Sequence, residues 1–274
     1  MENRLVCNFL KMSLGKFILS ILLFIDPLHL ISQDWKLVDS IAQKSSLVAI
    51  DPLNNIYGIE SQQGYFFRID QNKKITKQYI KRFANQISYI IKNDPLKIAY
   101  VIPSESKVVS IDPNFQKLST YNDPYSDPLF SFCLYRDGSQ CYFINYSLKL
   151  LSASNQVLAT SEQIRFEGNH ESTKSILLSD GQLIYLWIEK IGVFSFDQNL
   201  NLKAELKMPT IQHVDVFEQK VYFLMDDCIF EWNGMNSESA LIFTSDHKLS
   251  SFSINNKYLI LADAFQIKYF TKMD

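Results

Sequence analysis

Acidic side chains recur at one kind of place in this chain. Glu60, Glu105, Glu189, Asp226, Asp227 and Asp263 each stand where an apolar run gives way to a turn. Carboxylates gathered round a common axis could hold a divalent cation through oxygen ligands, and a cation held in that way activates water for hydrolysis. The simpler account is that hairpin tips are solvated and often acidic. His213 and Asp215 lie two apart in the strand-like run HVDVF and so share a face. A carboxylate there could orient the imidazole, but a hydrogen-bonded structural pair is the simpler account of the spacing. Two long connectors add polar and aromatic groups suited to a sugar or a peptide: Asp123, Tyr125 and Asp127 in one, Arg165, Phe166, Glu167, His170 and Glu171 in the other. Connector aromatics also serve simply to cover sheet edges. Beyond the first 33 residues, only His170 and His247 accompany His213, too few for a histidine-rich zinc centre. Nucleophile-elbow, phosphate-loop and metalloprotease-helix motifs are absent. No catalytic residue, metal ligand or cofactor is assigned on these grounds.

The elements that must position these residues are repeated. Six times an apolar run meets a turn and restarts with a tyrosine near its beginning: NIYGIES, KIAYVIPSE, QCYFINYS, LIYLWIEK, KVYFLMDD and KYLILADA. A spacing of roughly 40 residues is the range of propeller blades and solenoid units. In the first unit SLVAID, NIYGIES, YFFRID and ITKQYI read as four short strands joined by tight turns, and the next four units follow suit. The third strands share an ending as well: Asp70, Asp112 and Asp197 close FFRID, VVSID and VFSFD, with Asn233 and Asn155 near the same place. Short polar side chains here hold a tight turn by bonding the backbone two residues on.

The sixth unit stops one strand short at Asp274, while Trp35–Ile41 is a strand-like segment with no unit of its own. An open sheet would expose unpaired backbone groups. The pattern therefore predicts an all-β, six-bladed propeller with four-stranded antiparallel blades over residues 34–274. Its ring is closed by a strand at about residues 34–42 joining the C-terminal blade. Helix signals are nearly absent from this region.

The segment Asp51-Pro-Leu-Asn-Asn-Ile-Tyr, followed by Gly64 and Arg68-Ile69-Asp70, resembles the blade motif of NHL-type and TolB-like six-bladed propellers. Asn54 stands where that motif has its turn glycine, and asparagine accepts positive φ better than most residues. The whole chain is also similar to exported bacterial propeller proteins. The resemblance implies a fold, and propellers support many unrelated activities.

The 274 residues are 47% hydrophobic and 14% aromatic with a formal net charge of −2, ample for a large core and without a basic field for nucleic acid. Arg4, Lys11 and Lys16 precede an apolar stretch at Phe17–Ile25, with Ser32-Gln33 beyond it. A basic start, a short apolar core and a small residue near the exit describe a signal peptide over residues 1–33, with a retained anchor as the alternative. Of the cysteines after the leader, Cys133 and Cys141 flank the Asp137-Gly138 turn. A two-residue turn would set them on opposite faces and a three-residue loop would set them face to face. Buried free thiols are the expectation.

These readings converge on an exported, periplasmic or extracellular scaffold, monomeric and without a membrane span once the leader is removed. It would bind a protein or carbohydrate at the loop face through residues drawn from Glu60, Glu105, Tyr125, Arg165, Glu189, His213, Asp215, Asp226 and Asp263. The alternative is a metal-dependent hydrolase or lactonase using the funnel carboxylates.

Overall fold

The computed structural model describes residues 35–122, 131–135, 138–165, 174–235 and 238–273. The leader expected over residues 1–33 lies outside them, as do Asp123, Tyr125, Asp127, Phe166, Glu167, His170 and Glu171.

The first strand, β1 (Trp35–Ile41), is followed by blade 1, made of β2 (Leu47–Ile50), β3 (Ile56–Glu60), β4 (Tyr65–Ile69) and β5 (Ile75–Tyr79). Blade 2 is β6 (Tyr89–Asp94), β7 (Lys97–Ile102), β8 (Lys107–Ile111) and β9 (Lys117–Asn122). Blade 3 is β10 (Ser131–Leu134), β11 (Gln140–Ile144), β12 (Ser147–Leu151) and β13 (Val157–Thr160). Blade 4 is β14 (Ser175–Ser179), β15 (Ile184–Ile188), β16 (Gly192–Phe196) and β17 (Leu202–Lys207). Blade 5 is β18 (His213–Phe217), β19 (Lys220–Met225), β20 (Cys228–Trp232) and β21 (Ser239–Thr244). Blade 6 is β22 (Leu249–Ile254), β23 (Tyr258–Asp263), β24 (Ile267–Lys272) and, outermost, β1. All six sheets are four-stranded and antiparallel, and the ring is closed as the spare strand at the head of the chain implied. Trp35 lies opposite Lys272 and Ile41 opposite Ile267, so β1 covers the backbone edge that β24 would otherwise expose.

Burial falls from the axis outward. β2, β14, β15 and β16 are buried at every residue, whereas β5 alternates between exposed and half-buried. Inner strands are covered on both faces by the adjoining blades, which is why they read as unbroken apolar runs. The core accordingly lies between blades: Tyr57, Ile59 and Phe66 of blade 1 pack with Ile98, Tyr100 and Ile102 of blade 2.

The repeated aspartates are turn formers. Asp51 Oδ1 accepts from the backbone N–H groups of Leu53 and Asn55, both at 2.8 Å, with Asn54 at φ 64°. Asp70, Asp112 and Asp197 repeat the arrangement, with Lys73, Phe115 and Leu200 at positive φ. In blade 3 it is Ser152 that accepts from the Gln156 N–H, and Asn155 supplies the φ of 63°.

One register differs from the two-residue expectation at Asp137-Gly138. Tyr135 N–H donates to the Ser139 carbonyl, and Cys133 lies directly opposite Cys141. Both thiols are buried and free. Among the described residues no helix is long and apolar enough to cross a membrane.

Candidate binding site

The innermost strands carry polar side chains that meet inside the ring. Lys92, on β6, extends its ammonium to Asp215 Oδ2 on β18, to Ser253 Oγ at 2.7 Å and to the Ile254 carbonyl at 3.0 Å, both on β22. Ser253 donates to Asp215 Oδ2 at 2.7 Å and accepts from the Ile50 N–H of β2 at 3.0 Å. The Asp215 carboxylate also accepts from the N–H groups of Ile254 and Val216. One cluster thus ties blades 1, 2, 5 and 6 together across the axis. The inward edge of an innermost strand has no strand to pair with, and the serines of β22 supply the missing acceptors: Ser253 for Ile50, and Ser251 for Val48 at 3.2 Å.

Burial pushes the Lys92 ammonium below its ordinary value even though Asp215 opposes the shift. It pushes His213 down to about 4. His213 Nε2 lies 3.1 Å from the Phe252 carbonyl, to which it donates as a neutral ring, and 3.4 Å from Ser251 Oγ. His213 and Asp215 therefore do not bond each other: the carboxylate is taken by Lys92 and Ser253, and the imidazole by blade 6. Neither an orienting carboxylate nor a hydrogen-bonded structural pair is formed by these two residues, since Asp215 is engaged by Lys92, Ser253 and Ile254 and His213 by Phe252 and Ser251. The space left among Lys92, His213, Asp215 and Ser253 is about 10 Å³, no more than one water needs.

The acidic residues at the second-strand ends do not converge. Glu60 is buried and accepts from Gln43 Nε2 at 3.0 Å and Lys77 Nζ at 3.1 Å. Glu105 pairs with Lys107 at 3.3 Å and reaches Arg82 at 4.0 Å. Asp226 and Asp227, at φ 49° and 61°, form the two central positions of a hairpin turn that demands positive φ at both, and Asp227 also accepts from the Leu249 N–H. Asp263 is buried, holds the N–H groups of Phe265 and Gln266 and faces Lys268 at 3.6 Å. Glu189 is half-buried and Arg165 exposed. Among the described residues no group of three or more His, Cys, Asp or Glu is arranged to hold a metal ion.

A cleft of about 520 Å³ opens between blades 2 and 3, lined by Thr120, Tyr121 and Asn122 on β9 and by Gln140, Tyr142 and Lys149 of blade 3, with Asn155 and Val157 beside them. The Tyr121 ring stacks on Phe132 at 5.5 Å, and Phe132 meets Tyr142 edge-on at 5.0 Å. The Tyr121 hydroxyl is held by Lys97 at 3.0 Å, and the Tyr142 hydroxyl donates to Gln140 Oε1. Sequence reasoning missed Lys92, Ser251, Ser253 and this cleft. A lysine inside the apolar run ISYIIK and a glutamine opening QCYFIN were the available signals.

No family model matches the chain, and no curated protein is similar to it. Solved structures are similar in shape. A Bacteroides thetaiotaomicron protein of unknown function superposes with a TM-score of 0.61 at 10% identity over 88% of this chain and 72% of that one. Virginiamycin B lyase from Staphylococcus aureus gives 0.54 at 11% identity, over 82% and 79%. BamB from Moraxella catarrhalis gives 0.51 at 10% identity, over 86% and 99%. The shared property is the propeller fold. The three include a lyase, so the fold by itself selects neither catalysis nor binding.

Proposed function

We propose that the protein is an exported, non-catalytic scaffold that binds a protein or a carbohydrate at the cell envelope. The observation that carries this reading is the cluster of Lys92, Asp215 and Ser253 inside the ring, where the space among these groups and His213 holds about one water. A propeller enzyme working from its central funnel needs an open, polar funnel with convergent groups. Here the proposed funnel carboxylates stand on separate hairpins, and Glu60, Glu105, Asp227 and Asp263 are engaged by lysines or backbone N–H groups. Recognition then falls to the outer surfaces, where the cleft between blades 2 and 3 offers aromatic and amide groups. The basic, apolar leader supports export, and the motif at Asp51–Asp70 supports kinship with NHL-type and TolB-like propellers.

The test is affinity capture from envelope extract with the full chain, alongside a hydrolase and lactonase substrate screen with and without chelator. A retained protein or glycan with no turnover is the expected result. Cation-dependent turnover abolished by chelator would replace this reading with the hydrolase one. Mass spectrometry of the mature amino terminus checks export: a start near residue 33 is expected, and an intact leader points to a membrane anchor.

A further inference from the structure

We propose that the cleft between blades 2 and 3 is a binding site for a neutral oligosaccharide, an inference that rests on the scaffold reading and names its ligand class. The residue near the start of the second strand that pairs with the end of the third strand (Ile69, Ile111, Phe196, Trp232 and Phe270) and faces the preceding blade is Ile56, Ile98, Ile184, Val221 and Leu259 in blades 1, 2, 4, 5 and 6. In blade 3 it is Gln140, which is 4% exposed. A buried amide where five sister blades carry an aliphatic side chain lowers stability unless it does something else.

The opposing face of blade 2 departs from its sisters as well. The next position along the second strand is Tyr57, Tyr185 and Tyr222 in blades 1, 4 and 5, Cys141 and Ile260 in blades 3 and 6, and Ala99, the smallest of the six, in blade 2. Ala99, Ser110 and Ser119 lie opposite one another across β7, β8 and β9, a row of small residues on the side turned to blade 3. The tyrosine of this unit is displaced by one residue to Tyr100, and period-two alternation sends it to the blade 1 side. Wall and counter-wall are both altered at the junction where this cleft opens.

The lining selects the ligand. A volume of about 520 Å³ lies within the range of small-molecule pockets. Tyr121 and Tyr142 are fixed in orientation by Lys97, whose Nζ also lies 5.6 Å from the Tyr121 ring centroid, by Phe132 and by Gln140, and they bring aromatic carbon to the wall against which the C–H face of a pyranose can pack. The exposed carboxamides of Asn122 and Asn155 can pair with vicinal hydroxyls as both donors and acceptors, while buried Gln140 spends its Oε1 on the Tyr142 hydroxyl. The Thr120 hydroxyl, in the wall, is buried with no hydrogen-bond partner among the described residues. Among the described residues no carboxylate lines the cleft, and Lys149 is the charged lining group. Aromatic faces, amides and near-neutrality suit a neutral sugar better than a charged peptide.

The probes are cellohexaose, chitohexaose, xylohexaose, mannohexaose and laminarihexaose, titrated calorimetrically into the full chain, with oligogalacturonate as the anionic arm. Binding of at least one neutral hexaose is expected. Val157→Trp, which fills the mouth, and Gln140→Ile, which restores the residue type of the other blades, should each weaken it by about tenfold or more. Gln140→Ile should melt at or above the wild-type temperature, so its lost binding is not unfolding. The inference is overturned if no neutral hexaose binds, if only the anionic oligomer binds, or if either variant leaves affinity unchanged. An envelope partner captured equally well by wild type and Val157→Trp would leave the scaffold reading standing and remove the saccharide assignment.

Discussion

Lys92 and Asp215 face each other from opposite blades, the second and the fifth, and their charges meet in the interior of the ring. An ion pair excluded from water is strongly coupled, and removing one member strands the other. Lys92→Met should therefore lower unfolding free energy by about 3–5 kcal/mol. The double variant Lys92→Met/Asp215→Leu should lie closer to wild type than either single variant, because no charge is left unpaired. Urea denaturation of the four proteins in a cycle checks this. A single variant as stable as wild type would mean that the cluster does not brace the ring.

His213 makes stability depend on pH. Burial holds its folded-state value at about 4 against an ordinary 6.5, with Asp215 opposing the shift and Lys174 and Lys92 adding to it. The unfolded chain takes up a proton below about pH 6.5 that the folded protein refuses until about pH 4. Stability from this residue is complete above the upper value and falls as pH drops towards the lower, by up to about 1.4 kcal/mol per pH unit. His213→Gln keeps a donor for the Phe252 carbonyl and does not titrate. The difference between wild-type and variant melting temperatures should shrink or reverse as pH falls through this window.

Cys133 and Cys141 are opposed and buried, and burial together with the neighbouring Cys141 thiol raises Cys133 well above the ordinary thiol range. Thiolate is the reactive form. Iodoacetamide on the native protein should label Cys228, which is half-buried, and leave Cys133 and Cys141 untouched until denaturant is added. Peptide mapping by mass spectrometry reads the result, and native labelling of Cys141 would contradict the burial.

Ring closure by β1 should be a large part of cooperativity. Deleting residues 34–42 uncovers the β24 edge along its length, and an exposed edge recruits another chain. The deleted protein is expected to associate, as seen by light scattering, and to melt well below the parent. A monomer with an unchanged melt would show that the strand is dispensable.

Much of the fold was legible because its determinants are local. Period-two apolar runs, Asp51-type turns and residues tolerant of positive φ such as Asn54 each act within a few positions, and repetition turned weak local signals into an architecture. Even the closing strand could be read, since a missing strand at one end and a spare at the other are a matter of counting. The cleft was half legible: the tyrosine shift from NIYGIE to KIAYVI and the glutamine in QCYFIN are visible, but their consequence depends on which blades adjoin.

The sequence by itself determined the number of blades, the turns and the continuous burial of the inner strands, because short-range sterics and alternation set all three. Only the tertiary structure decided what fills the ring. Lys92 and Asp215 are 123 positions apart, and Lys92 and Ser253 are 161. No local pattern pairs such residues; they meet because six sheets close around one axis and water is driven out from between them.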